Sequence, residues 1–327
     1  GIRLVLKSPG LSPFDAAVAP LLQRAAAIGL PVQGELDLFA RALADLKDER
    51  GYAPKVLAIT GTNGKTTTTA LTAHLVARTG KRVAVAGNIG PTMLQTLADA
   101  LALEPVRDPI EAAPIHDEPT PEAEEVALED IADLQALDGA PANDTLVDQP
   151  ADDTDSAPLV ELAPPPPAAP VFEVLPEVWV LELSSFQLDG VSAFEPSAGA
   201  ILNITQDHLD WHGSMAHYAA AKARVFGRDA TLVINRDDAL IESLVPAPVV
   251  VKAAVKGRKS TTVERRVVRF GLTAPQRPGD FGLVDENGMA WLVRARELDE
   301  TLKRSKGGKG ARLGAELAEP EELQIGR

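Results

Sequence analysis

A chain of 327 residues is long enough for two domains. It holds no cysteine, which excludes disulfide and thiolate–metal chemistry, and its five histidines limit His-based metal sites. The net charge of −15 argues against a nucleic-acid partner, but it is local: between Glu104 and Pro170 there are 18 Asp and Glu against one Arg, and the rest of the chain is close to neutral.

No run of about 18 apolar residues and no basic-then-apolar leader is present, so no membrane insertion is predicted and a soluble cytoplasmic protein is expected. Ile2 to Leu6 reads as a strand, and Lys7-Ser8-Pro9-Gly10 as the turn after it. A helix from Pro20 to Ile28 stops at Gly29, and Pro31-Val32 reads as a short strand. Leu36, Phe39, Leu43 and Leu46 recur at helical spacing and predict a helix over Glu35 to Leu46. These elements amount to one and a half βα units, too few to close a core. Asp48 to Pro54 reads as a linker.

The informative stretch follows. Val56-Leu57-Ala58-Ile59 is an unbroken apolar run, as in a strand buried on both faces of a parallel sheet. It leads into Gly61-Thr62-Asn63-Gly64-Lys65-Thr66-Thr67 and a helical stretch to Arg78. Strand, glycine loop and helix N-terminus form an anion site, because free backbone N–H groups and the helix dipole point at the same place. Lys65 can reach β- and γ-phosphate oxygens, and the hydroxyl of Thr66 or Thr67 can ligate Mg²⁺. Ile59 stands where the general phosphate-loop pattern has its first glycine, and a turn that only caps a helix is the plain alternative.

Arg82 to Ala86 is a second strand, ending in the turn Gly87-Asn88-Ile89-Gly90-Pro91, where Asn88 either lines a ligand or caps the next helix. Residues 100–175 read as an acidic, proline-rich insertion, solvated, with Glu124 to Leu137 as a transient helix and Pro164 to Pro167 extended. The apolar run resumes at Val178-Trp179-Val180-Leu181, with Glu182-Leu183-Ser184-Ser185-Phe186-Gln187-Leu188 at its carboxyl end. Glu182 would face the phosphate loop if the two strands are neighbours, a placement that suits a Mg²⁺ ligand. Gly199 to Ile204 is a further strand, and His208 lies in the loop beyond it, the third strand-end loop with candidate residues. Ser214 caps a helix to Phe226 that carries Lys222 among alanines, where a lysine by itself reads as a solvated charge. Thr231 to Ile234 and Pro248 to Lys252 are strands. Arg266 to Phe270, Phe281 to Val284 and Met289 to Val293 read as a small antiparallel edge, and 297–327 as a flexible tail.

The Gly61 to Thr67 loop resembles the ATP loop of the Mur ligase and folylpolyglutamate synthetase superfamily, whose shorter pattern accounts for Ile59. Glu182 to Leu188 resembles the branch that adds D-glutamate, and Ser8 to Ser12 with Gly34 to Phe39 resemble the end of its N-terminal domain. The resemblance implies an α/β fold with a mostly parallel, phosphate-loop sheet flanked by helices. It divides the chain into 1–47, a remnant of a UDP-binding domain; 54–296, a central ATPase domain; and 297–327, leading toward a third domain. It places further strands before Gly1 and a third domain after Arg327, a chain truncated at both ends. It implies a monomeric ligase joining D-glutamate to UDP-N-acetylmuramoyl-L-alanine through an acyl phosphate, with ATP and Mg²⁺; another ligase of the family, or a non-catalytic ATP-binding module, is the alternative. Carried over residue by residue, Gly61 to Thr67 hold ATP and Lys65 stabilises the transferring phosphoryl group. Thr66 and Glu182 hold one Mg²⁺, and His208 with a carbamylated Lys222 holds a second. Asn88 and Ser184 orient the muramoyl substrate.

Overall fold

The computed structural model describes residues 1–105, 171–251 and 261–296. The interior of the acidic insertion, its transient helix and the tail 297–327 lie outside the described residues.

At the N-terminus, β1 (Val5–Leu6) and β2 (Val32–Gln33) pair in parallel around α1 (Ala19–Ala27). The next helix, α2 (Glu35–Arg50), starts where the Asp37 carboxylate turns back onto the Gly34 N–H at 3.1 Å. It ends on Gly51, whose φ of 69° is a left-handed stop that glycine takes without strain.

The chain then alternates strand and helix: β3 (Lys55–Thr60), α3 (Lys65–Ala77), β4 (Val83–Gly87), α4 (Met93–Leu103), β5 (Val178–Glu182), α5 (Ser185–Leu188) and β6 (Ala198–Ile201). Beyond β6 come α6 (Leu209–His212), α7 (Met215–Ala223), a 3-10 turn at Arg224–Phe226, β7 (Thr231–Asn235) and α8 (Ala239–Ser243). A short antiparallel pair, β8 (Val249–Val251) with β9 (Thr261–Val263), precedes β10 (Val267–Phe270). An antiparallel hairpin of β11 (Phe281–Glu286) and β12 (Met289–Arg294) ends the described chain, turning on Asn287 and Gly288, both at positive φ.

Six strands form one parallel sheet in the order β10-β7-β6-β3-β5-β4. The expected α/β architecture is therefore present, with one revision. Arg266 to Phe270 was expected beside the antiparallel strands, yet β10 pairs in parallel with β7, Val267 opposite Leu232. The connection from β7 contains α8 and the β8–β9 pair, long enough for a crossover, and an apolar run on its own cannot reveal which neighbour it will take.

β5 is buried at all five positions, as an unbroken apolar run requires. Its Trp179 is the centre of the main core: Phe39 of α2 meets it edge-on at 5.0 Å, and its indole N–H donates to the Tyr52 hydroxyl at 2.9 Å. Tyr52 donates in turn to the Pro176 carbonyl at 2.6 Å. The N-terminal helix α2 thus shares one apolar cluster with the sheet. On β6, Gly199 lies under the 3-10 turn, where a Cβ would collide with the Val225 carbonyl oxygen. Among the described residues no helix is long and apolar enough to cross a membrane.

Just beyond α4, the Glu104 carboxylate receives the backbone N–H groups of Glu173, Val174 and Leu175 at 2.7, 2.8 and 2.7 Å. Partial burial pushes its pKa up, but the three N–H donors outweigh that and hold it below the usual carboxylate range.

Two outcomes follow. Gly199→Ala should destabilise by about 1–3 kcal/mol in denaturant melts, since the obstructing atom is backbone and cannot rotate away. Glu104→Gln should lower stability at neutral pH. Because the folded-state pKa is the lower one, the parent's advantage is present above the unfolded value and disappears as pH falls through the folded one. A variant-to-parent difference that is flat across acid pH would refute this role.

Candidate functional site

The edge where the parallel strands end gathers the residues singled out from sequence. β3 lies between β5 and β6, and the chain leaves β3 toward β4 but leaves β6 toward β7, so the strand order reverses there. Open α/β sheets bind ligands in such a crevice.

The loop after β3 is fastened to the loop after β6. The Thr62 N–H donates to the Asn203 carbonyl at 2.9 Å. The Asn63 N–H donates to Asn203 Oδ1 at 2.8 Å, and Asn203 Nδ2 donates back to the Asn63 carbonyl at 3.0 Å. Gly64 stands at φ 81° as the residue before α3, a backbone state that strains any side chain with a Cβ. Thr66 and Thr67 are exposed on the first turn of α3.

Two lysines converge on one carbonyl. Lys65 Nζ lies 3.1 Å from the Gly61 oxygen and 3.0 Å from that of Thr62. Lys222 Nζ, reaching in from α7, donates to the same Gly61 oxygen at 2.8 Å and meets Thr60 Oγ1 at 3.3 Å. Far from being a solvated charge, Lys222 is 2% exposed, with its ammonium 4.7 Å from the centroid of the Tyr218 ring. Burial, then the Lys65 charge, push its pKa down to about 7, against a partial lift from Asp207. A large fraction of this amine is therefore neutral and nucleophilic near physiological pH.

Glu182 ends β5 directly beside Ile59 in the ladder and is 2% exposed. Its carboxylate accepts Asn88 Nδ2 at 3.1 Å, while the Asn88 N–H donates to the Glu182 carbonyl at 2.7 Å. Asn88 is thus aimed at Glu182, and the cap of α4 is Thr92, whose hydroxyl accepts the Gln95 N–H. Ser184 caps α5 and is locked reciprocally with Gln187. Among the described residues no cation lies within ion-pair distance of Glu182, a buried carboxylate that a hard divalent ion would suit.

His208 begins α6 at φ 50°, a left-handed state uncommon without glycine. Its Nε2 is 3.2 Å from Asp207 Oδ2, and its ring lies 4.7 Å from Phe186. Among the described residues no three His, Cys, Asp or Glu side chains gather in a metal-binding group. An ammonium has no lone pair for a metal, so Lys222 could join His208 in a metal set only once it has lost its proton.

Sequence reading missed three parts of this site. Asn203 pins the phosphate loop, and Tyr218 supports Lys222 while its hydroxyl lies 3.0 Å from Thr62 Oγ1. The spacing of Tyr218 and Lys222, four residues apart on one helix, was a usable signal. The third, His212, is fully buried with Nε2 2.9 Å from Ser185 Oγ; burial pushes its pKa to about 4, so it is neutral.

Among known proteins, the Mur ligase middle domain matches residues 59–107 and 172–269. A protein of Albidiferax ferrireducens named UDP-N-acetylmuramoylalanine–D-glutamate ligase is 47% identical over 306 residues, covering 94% of this chain and 45% of that protein. A protein of the same name from Burkholderia pseudomallei is 42% identical over 327 residues, 100% of this chain and 48% of that one. The crystal structure of a MurF ligase from Thermotoga maritima in complex with ADP aligns with a TM-score of 0.40 at 13% identity, over 90% of this chain and 56% of that one. The parallel sheet, its phosphate loop and the matched domain define the class: the chain carries the middle domain of the Mur ligase family, over residues 59–107 and 172–269. It spans about half the length of the curated relatives it matches.

The depressed Lys222 pKa has a stability consequence of definite sign. Between about 7 and the ordinary lysine value of 10.5, the unfolded chain holds this proton and the folded one does not, so the Lys222 contribution to stability rises with pH across that window. Lys222→Met should flatten that part of the curve in paired denaturant melts at pH 6.5 and 9.5. Unchanged pH dependence in the variant would show that the amine titrates normally.

Proposed function

We propose that this chain carries the ATP-binding centre of a ligase that joins D-glutamate to UDP-N-acetylmuramoyl-L-alanine, with ATP consumed to ADP, in peptidoglycan precursor synthesis. The observation that carries the reading is the convergence of Lys65 and Lys222 on the Gly61 carbonyl, beside a buried Glu182 on the neighbouring strand. The names of the 47% and 42% identical relatives support the choice of substrates. On this reading residues 54–296 are the ATPase domain and 1–47 belong to a UDP-binding domain.

The chemistry asks for such an arrangement. A carboxylate is a poor electrophile with no good leaving group, and its conversion to an acyl phosphate supplies one. With the Thr62 and Asn63 N–H groups taken by Asn203, the first turn of α3 presents N–H groups to the phosphates, and Lys65, turned from the Gly61 and Thr62 carbonyls, balances charge on the transferring phosphoryl group. Asn88 and Ser184 orient the muramoyl carboxylate, and the amine of D-glutamate then displaces phosphate. Thr66 and Glu182 offer the hard oxygen donors one Mg²⁺ needs, and His208 with carbamylated Lys222 would hold a second. Bound Mg²⁺ supplies charge neutralisation between two polyanions. Carbamylation of Lys222 needs a neutral amine, which the pKa near 7 provides.

Calorimetry with Mg-ATP tests the centre: Lys65→Ala should weaken binding at least about tenfold, the loss of one charge-assisted contact, and equal affinity would overturn the assignment. Labelled bicarbonate should give a carbamate carbon signal in the parent that is absent from Lys222→Arg. Phosphate release stimulated by UDP-N-acetylmuramoyl-L-alanine would support the substrate, and ATP binding indifferent to it would favour a non-catalytic module.

A further inference from the structure

The N-terminal loop and the His208 loop, far apart in sequence, meet at Trp211, through both its backbone and its ring. Trp211 sits three residues after His208, on α6, and is 8% exposed. On one side it is gripped by the loop that follows β1. The Ser12 hydroxyl donates to the Trp211 carbonyl at 2.8 Å, the Trp211 indole N–H meets the Gly10 carbonyl at 3.4 Å, and Lys7 Nζ stands 5.0 Å from the indole centroid. On the other side its ring lies 4.9 Å from Phe186, which itself lies 4.7 Å from His208.

His208 needs such support. Its left-handed backbone is a state that persists in a non-glycine residue only where surrounding contacts over-determine it. Asp207 meets its imidazole, but both side chains are more than two-fifths exposed and so hold the ring weakly. The further restraint is the run of tilted ring contacts from His208 through Phe186 to Trp211, and that run is closed at its far end by the Lys7–Ser12 stretch.

We propose that Trp211 is a positioning residue that joins the 7–14 loop to the His208 loop, so that ordering either loop orders the other. The inference rests on the ligase reading for its functional meaning: a substrate held by the N-terminal loop would thereby set His208 beside the phosphate loop before the reaction begins. The coupling runs through a contiguous set of contacts rather than through distance alone.

Hydrogen–deuterium exchange on the 327-residue chain, measured without ligand, decides the matter. Trp211→Leu should raise exchange about tenfold both at 7–14 and at 208–213 while leaving the amides of β3 and β5 at the parent rate. Trp211→Phe keeps a ring against Phe186 and should return the 208–213 segment toward the parent. Ser12→Ala, which acts from the far side and leaves the indole intact, should also raise exchange at 208–213, and it decides the case if Trp211→Leu does not fold. Loosening of α6 alone, or of β3 and β5 as well, would overturn the coupling. A parallel measurement with Mg-ATP reads the other claim separately: no protection at 61–67 would count against the nucleotide centre, while the unliganded comparison still decides Trp211.

Discussion

β3 pairs on one side with β5, Ile59 opposite Glu182, and on the other with β6, Thr60 opposite Ile201. That register places three loops of very different sequence position at one edge of the sheet. The phosphate loop, the Glu182 strand end and the His208 loop become neighbours only through it. A slip of one residue would turn Glu182 to the opposite face and remove it from the loop. Burial of all five β5 residues makes such a slip costly, so packing and chemistry are enforced by the same pairing.

The electrostatics follow from that placement. Two ammonium groups on one carbonyl repel, and the arrangement persists because the carbonyl, Thr60 and the Tyr218 ring share the charge between them. Burial, then the neighbouring Lys65 charge, loosens the Lys222 proton. The two lysines therefore differ in chemistry although they touch the same oxygen. Lys65 lies on the phosphate loop itself, and the buried Lys222 becomes an amine able to react.

Polar groups elsewhere in the chain are tied with similar economy. Tyr52 links Trp179 to Pro176, and Glu104 collects three successive N–H groups where the chain returns to the sheet. Each of these bonds fixes the approach to β5 at Glu177, and thereby the strand that carries Glu182. An unpaired donor at such places would cost about 1–3 kcal/mol. Among the described residues His212 is one counter-example, with one ring nitrogen bonded to Ser185 and the other buried without a partner.

The phosphate-loop pattern and the parallel α/β class were legible in the sequence, because each depends on local order: an apolar run and a glycine spacing. Local order could not say which strand lies beside which. It left Asn88 between a helix cap and a ligand, and the pairing of β4 with β5 resolves this by setting Asn88 against the Glu182 carboxylate. It placed Arg266 to Phe270 in the wrong sheet, since an apolar strand carries no label for its partner. Lys222 read as solvated on its helix, and only the approach of α7 to the β3 loop buries it. The roles of Asn203, Tyr218 and Trp211 are likewise invisible in sequence, because a hydrogen bond or a ring contact spanning many residues exists only once the sheet has brought its ends together.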